Sequence, residues 1–205
     1  MTDFIPPDAR TSPATARNRD PILEVLKPRL PKTGIVLEIA AGAGEHAAYN
    51  AAALPRLQWR PTDPSPHALA SIAAWREHAG LPNLLPPLPL DASNPDDWPV
   101  DRADAIVTIN MVHISSWAAT RGLMRGAGRI LPIGGILFLY GPYIESGVAT
   151  APSNLAFDLD LKARNPAWGI RHLDEVRALA GEHGLELSER IAMPANNLSL
   201  IFRRR

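Results

Sequence analysis

The chain contains no cysteine, which excludes disulfides, thiolate metal sites and cysteine nucleophiles. It has no excess of either charge: 21 Lys and Arg balance 21 Asp and Glu. That neutrality argues against a nucleic-acid backbone as the main partner. No apolar run approaches the roughly 20 residues that cross a bilayer. Met1 to Arg19 is polar and Pro-rich, without the apolar centre of a secretory signal. A soluble cytoplasmic protein with no membrane or nucleic-acid partner is the expectation. No His/Asp/Glu spacing compels a metal site, and there is no Gly-x-Ser-x-Gly elbow.

What is present suits a folded domain. The 205 residues are 46% apolar and 20% charged, enough for a full core of α/β type. One domain over 1–205 is expected: a polar lead-in and first helix (1–32), a core (34–141), and helices with a terminal hairpin (142–205). Strand and helix signals alternate. Ile35 to Ile39, Leu57 to Thr62, Asn83 to Leu90, Ala103 to Ile109 and Ile136 to Tyr140 read as strands. Pro86, Pro87 and Pro89 push the third of these to a sheet edge. Helices are expected over Pro21 to Leu30 (after a lead-in from Thr11 to Asp20), Glu45 to Leu54, Ala68 to Ala79, Trp117 to Leu131, Asn154 to Arg164 and Leu173 to His183. Continuous apolar strands between helices imply a parallel sheet covered on both faces. Leu185 to Ala192 and Asn197 to Phe202 are joined by only Met193-Pro194-Ala195-Asn196, too short for a parallel crossover. The expected fold is thus a mostly parallel, Rossmann-like α/β sheet closed by an antiparallel hairpin. Arg203 to Arg205 reads as a solvated tail.

Ligands of such sheets sit at the carboxyl ends of the strands, where strand order reverses. Glu38, Asp63, Asp91 and Asn110 all fall at or just past expected strand ends. After Glu38, the segment Ile39-Ala40-Ala41-Gly42-Ala43-Gly44-Glu45-His46 reads as a small-residue turn entering a helix. Gly42 and Gly44 let backbone approach a ligand, and the helix start offers free N–H groups. Gly42-x-Gly44-x-x-Ala47 also fits a dinucleotide fingerprint. An acid at Glu38 repels pyrophosphate, however, and tolerates a sulfonium cation. Asp63 can accept from both ribose hydroxyls, or cap the next helix. Asp91 can accept from an adenine amino group, or close the Asp91-Ala92-Ser93-Asn94-Pro95 turn.

Glu38 to Gly44, Asp63, Leu90-Asp91-Ala92 and Asp104 to Asn110 resemble, in order, the first four motifs of class I S-adenosylmethionine-dependent methyltransferases. Ala40 stands where many of those enzymes have a glycine. Ala16 to Leu23, Gly44 to Ala47, His113 to Trp117, Leu139 to Tyr143 and Met193 to Asn197 resemble, more closely, the small family that includes methyltransferase-like protein 26. The resemblance implies a seven-stranded methyltransferase sheet that binds S-adenosylmethionine and releases S-adenosylhomocysteine. It implies that Glu38 and the Gly42/Gly44 turn, which includes Ala40 at its start, hold the methionine part. His46, on the first turn of the helix, is read as a contact at the cofactor or substrate rim or as a plain helix-face residue. Asp63 would then take the ribose, Asp91 and Ala92 the adenine, and the Asn110 carbonyl the methionine amino group.

The methyl acceptor is expected to be a small molecule. His113 is the candidate base, or a pocket-shaping histidine, because it follows the fourth strand and titrates near neutrality. Tyr140 and Tyr143, Asn18 and Arg19, Trp168 and Arg171, and the adjacent amides Asn196 and Asn197 are candidate acceptor contacts. Core, surface and turn roles remain open for each. Two other readings compete: a catalytically silent cofactor-binding or protein-interaction module, and an NAD(P)-dependent oxidoreductase, which Glu38 disfavours.

Overall fold

Residues 8–205 are described in a computed structural model. Ser12 opens the first helix, α1 (Pro13–Leu26): its hydroxyl accepts from the Ala14 N–H, and Pro13 takes the first helical position. The expected start at Pro21 is therefore corrected. The lead-in is itself helical, and Pro21 lies inside α1. An interior proline costs on the order of 3 kcal/mol. Ile22 and Leu26, both fully buried, offset it by packing onto the sheet.

There follow β1 (Gly34–Glu38), α2 (Glu45–Ala53), β2 (Leu57–Asp63), α3 (Pro66–Ala79), β3 (Leu88–Pro89), β4 (Ala105–Ile109), α4 (Trp117–Ile130) and β5 (Ile136–Gly141). Then come β6 (Tyr143–Ile144), α5 (Pro152–Arg164), β7 (Arg171–His172), α6 (Leu173–Glu182), β8 (Leu185–Met193) and β9 (Asn197–Arg204). The main sheet has seven strands in the order β3-β2-β1-β4-β5-β9-β8. β3, β2, β1, β4 and β5 are parallel, whereas β9 runs antiparallel to both β5 and β8. The seven-stranded, mostly parallel sheet with an antiparallel hairpin is as the sequence implies.

Alternation along each strand feeds two cores. Leu37, Ile106, Leu137, Leu139 and Phe202 pack with α4 and α6 on one face. Val36, Trp59, Val107, Phe138 and Ile201 pack with α1 and α2 on the other. Burial on both faces is why these strands read as unbroken apolar runs.

Three details differ from the sequence reading. The third strand shrinks to two residues plus one bridge, Trp59 to Leu84, because its prolines cannot donate to a ladder. β6 and β7, on either side of α5, form a separate two-stranded parallel pair that the sequence reading does not include. Arg203 and Arg204 prolong β9, and Arg205 pairs with Glu186, so the last arginines are not a free tail. Among the described residues, no helix is long and apolar enough to cross a membrane.

α4 approaches the loop after β3 through bare backbone. A Cβ at Gly122 would lie 1.9 Å from the Ala92 carbonyl oxygen, and one at Gly126 would lie 2.3 Å from the Trp98 ring. Gly122→Ala should therefore lower stability by about 1–3 kcal/mol despite alanine's better helix propensity. Denaturant unfolding of the two proteins checks this, and equal midpoints would contradict the close approach.

Candidate functional site

Sheet order reverses between β1 and β4, and the strand ends part there. The gap opens into a cleft of about 540 Å³, lined by residues from four post-strand segments. Ala40, Gly42, Asp63, Asp91, Ala92 and Asn110 all line it. The sequence reading brings these six together. Ile39, Leu90, Ile109, Met111 and Ile114 give the cleft apolar walls, and Ser115 and Ser116 add hydroxyls.

Asp63 organises the entrance. One carboxylate oxygen accepts the Gly42 N–H at 3.0 Å and the other accepts the Ser65 N–H at 2.9 Å. Ser65, not Asp63, is the cap of α3. Each Asp63 oxygen still has lone-pair capacity facing the cleft. Gly42 is left-handed (φ 58°), and a Cβ there would meet nothing within 4 Å. Its side-chain position is thus open space at the cleft. Gly44 is also left-handed (φ 88°) and presses on Ile72, with 2.8 Å from a would-be Cβ to the Ile72 Cα. Ala40 and Asn110 share the left-handed region, at φ 56° and 63°. Asparagine tolerates it, whereas Ala40 carries about 1–2 kcal/mol of strain that glycine would not.

Asp91 lines the cleft and also closes its own turn. Its Oδ1 accepts from the Ser93 N–H at 2.8 Å and the Ser93 hydroxyl at 2.7 Å. The two readings of Asp91 are therefore compatible.

Glu38, Gly44 and His46 lie off the cleft wall. Glu38 is 1% exposed, and its carboxyl accepts from the Trp59 indole N–H on the neighbouring strand. Burial pushes its pKa up to about 7, against the pull of the indole hydrogen bond. His46, in the first turn of α2, is buried, and burial together with the nearby Arg19 guanidinium lowers its pKa to about 4.

His113 is 2% exposed, and a Cβ at Gly141 would lie 2.7 Å from its Cε1. The ring stacks edge-on against Phe157. Burial, assisted by Arg171, drives its pKa down to about 3, so the imidazole is neutral and a weak base. The titration near neutrality that recommends His113 as a base is absent. Arg171 is engaged by the carbonyls of Val112 (3.3 Å), Ser115 (2.8 Å) and Ala167 (2.7 Å), and its guanidinium lies over Trp117. It ties the segment before β7 to the cleft wall at Ser115. Trp168 packs against Arg164.

Tyr143, Asn196 and Asn197 meet at a second cleft of about 220 Å³, beside the Glu145–Arg190 ion pair. Asn197 donates to the Pro194 and Ala195 carbonyls, and Asn196 donates to the Ser153 hydroxyl. Asn197 thus holds its own turn, in which Ala195 and Asn196 are left-handed, while Asn196 ties that turn to the start of α5. Asn18 reaches the Tyr140 hydroxyl, and Arg19 lies over the Tyr49 ring at 4.8 Å. The sequence reading omits Asn50 and Ser199, both fully buried polar residues. The available signal for Asn50 is its spacing of four from His46, which puts both on one face of α2.

The model of a family described as "Protein of unknown function (DUF938)" matches residues 9–204. Among solved structures, an O-methyltransferase family protein from Burkholderia thailandensis superposes with TM-score 0.79 at 16% identity, covering 93% of this chain and 57% of its own. An O-methyltransferase family 2 protein from Planctomyces limnophilus, in complex with apigenin, gives 0.77 at 19%, covering 94% and 60%. Human N-acetylserotonin methyltransferase in complex with S-adenosylmethionine gives 0.76 at 12%, covering 93% and 52%. The chain thus spans between half and two thirds of the length of these structures. The likeness shows a methyltransferase-type fold.

The Glu38 environment sets a pH dependence. A carboxyl whose folded pKa lies above its unfolded value favours folding at low pH, and that advantage is lost as pH rises through about 7. Glu38→Gln removes the charge and keeps an acceptor for Trp59. At pH 8 it should stabilise by roughly 3 kcal/mol, shrinking towards zero below pH 4.5. Thermal unfolding across that range checks the sign, and a gain independent of pH would overturn it.

Proposed function

The chain belongs to the DUF938 family of proteins of unknown function, and from that premise we propose that it is an S-adenosylmethionine-dependent methyltransferase with a small-molecule acceptor. One observation carries the reading: at the switch point a carboxylate, Asp63, and bare backbone at Gly42 face one cleft of nucleoside size. The resemblance to the family that includes methyltransferase-like protein 26 points the same way, as do the solved methyltransferases of the same fold.

The residues fit the cofactor. Asp63 would accept from the ribose hydroxyls through its remaining lone pairs. The Asp91–Ala92 segment and the apolar walls would hold adenine, and the left-handed Asn110 would present its backbone to the amino-acid end. Gly42 leaves room for the chain of the nucleoside. Bound there, S-adenosylmethionine supplies a methyl group activated by the sulfonium. The protein then has to align an acceptor lone pair and exclude water. His113, neutral and buried, serves this reading better as a positioning residue beneath the cleft than as a base. Glu38 acts at one remove, through the hydrogen bond it accepts from Trp59 on the neighbouring strand. The domain is proposed to span the whole chain.

Titration calorimetry with S-adenosylhomocysteine, NAD and NADP separates the cofactor classes. S-adenosylhomocysteine should bind and the dinucleotides should not; dinucleotide binding alone would reject the proposal in favour of an oxidoreductase. Asp63→Ala should weaken S-adenosylhomocysteine by about 1–3 kcal/mol, the cost of a lost charge-assisted hydrogen bond. Unchanged affinity would remove Asp63 from the site.

A further inference from the structure

The turn between β1 and α2 is held from behind by a residue that does not line the cleft. Ser71 lies in the second turn of α3 and is fully buried. Its hydroxyl donates to the Ala43 carbonyl at 2.7 Å and accepts the Arg10 N–H at 2.8 Å. The Gly44 N–H donates to the Ala41 carbonyl at 3.0 Å. The peptide unit between Ala43 and Gly44 is thus pinned at both ends, its oxygen by Ser71 and its N–H by Ala41. The next residue of α3, Ile72, is the one against which Gly44 presses. α3 therefore backs the same turn that presents Gly42 to the cleft.

The segment before α1 reaches the same serine. The Arg10 carbonyl accepts the Trp75 indole N–H at 2.8 Å, one turn along α3 from Ser71. Ala9 is buried, and the Ser12 N–H donates at 3.0 Å to the carboxylate of Glu45, the first residue of α2. Residues 9–12 thus form a strap over α3 and the start of α2. A serine inside a helix has a competing option, since its hydroxyl can turn back to a carbonyl of its own helix. With the strap docked, the Arg10 N–H occupies the Ser71 oxygen and polarises the O–H that donates to Ala43. Strap and turn are the two ends of one hydrogen-bond chain. We infer that Ser71 is a positioning residue for the cofactor turn, and that strap docking and cofactor binding are coupled through it. The inference rests on the cofactor reading above. Ser71 touches no ligand; it acts by holding the Ala43–Gly44 peptide in place. Such coupling is reciprocal: whatever the docked strap adds to cofactor affinity, the bound cofactor adds to docking.

Both directions can be read on the full chain. Arg10 is exposed and followed by Thr11, so trypsin cuts there when the strap lifts. Saturating S-adenosylhomocysteine should slow the appearance of the fragment that begins at Thr11 by about fivefold. Ser71→Ala should weaken S-adenosylhomocysteine roughly fivefold by calorimetry, speed the cut after Arg10 and abolish the ligand's effect on it. Ser188→Ala removes a comparable hydroxyl bond, to the Ile201 carbonyl from the edge strand β8, and should leave affinity within about twofold. Trp75→Phe loses only the bond to Arg10 and should move both readouts in the same direction as Ser71→Ala, and it carries the test should Ser71→Ala not fold. Cleavage indifferent to ligand, wild-type affinity in Ser71→Ala, or an equal loss in Ser188→Ala overturns the coupling. Failure of the wild type to bind S-adenosylhomocysteine would instead defeat the cofactor reading. Hydrogen exchange then still reads the brace: the Gly44 N–H should exchange faster in Ser71→Ala, and equal exchange would defeat the brace as well.

Discussion

The hydrogen bond from the Gly42 N–H to the Asp63 carboxylate joins the two pieces of chain that define the cleft. Asp63 ends β2, and Gly42 lies in the turn that leaves β1. Parallel pairing brings these strand ends side by side, with Glu38 opposite Pro61. The carboxylate then crosses from one strand end to the next turn and fixes its left-handed path. Ala41 adds a second tie by donating its N–H to the Thr62 carbonyl. Everything lining the cleft depends on that turn staying open. Ala40 and Gly42 are both left-handed there, and the chain accepts the strain at Ala40 to keep bare backbone at the rim.

Behind the rim, burial drives the few titratable groups of the apolar interior towards their uncharged forms. Burial lifts Glu38 towards neutrality of its acid form, and it pushes His46 and His113 well below the range in which they would carry a proton. The opposite shifts have one cause: each group is driven to its neutral state by loss of water. A sulfonium bound in front of these groups would face lone pairs and dipoles without a competing fixed cation from either histidine. Arg171 is the half-buried charged counterpart, and three carbonyls absorb its charge while it tethers the segment before β7.

Much of this arrangement was legible in the residues. β1 and β4 are mostly apolar runs ended or followed by a polar residue, Glu38 and Asn110, and runs of that kind specify both burial on two faces and a ligand-bearing carboxyl edge. The hairpin followed from a link too short to cross the sheet. The start of α1 was not legible, because Ser12-Pro13 and Asp20-Pro21 carry the same cap-and-proline signal, and only packing of Ile22 and Leu26 decides between them. Glu38 was readable as a strand-end acid, but its direction was not. The pleat aims it at the same face as Val36, where Trp59 waits. β6 and β7 are two residues each, below any detectable period. Ser199 sits between Leu198 and Leu200, where a solvated face of a strand would look the same.

Division of labour between the two sides of β4 and β5 follows from these positions. The side facing α4 supplies an apolar slot with a few polar points at its rim, which suits a flat base and a sugar. The side facing α1 carries the second core, with Ile22 and Leu26 packed among Val107, Phe138 and Ile201. Asn110 and Tyr140 are joined through their backbones across the β4–β5 boundary, the Asn110 N–H donating to the Tyr140 carbonyl. With His113 held neutral and away from the cleft wall, rate enhancement under the proposed reaction has to come from alignment and exclusion of water more than from proton transfer. Alignment of that kind requires both partners to be held by rigid elements. Here the strand ends, pinned by parallel pairing on one side and the antiparallel β9 on the other, provide them.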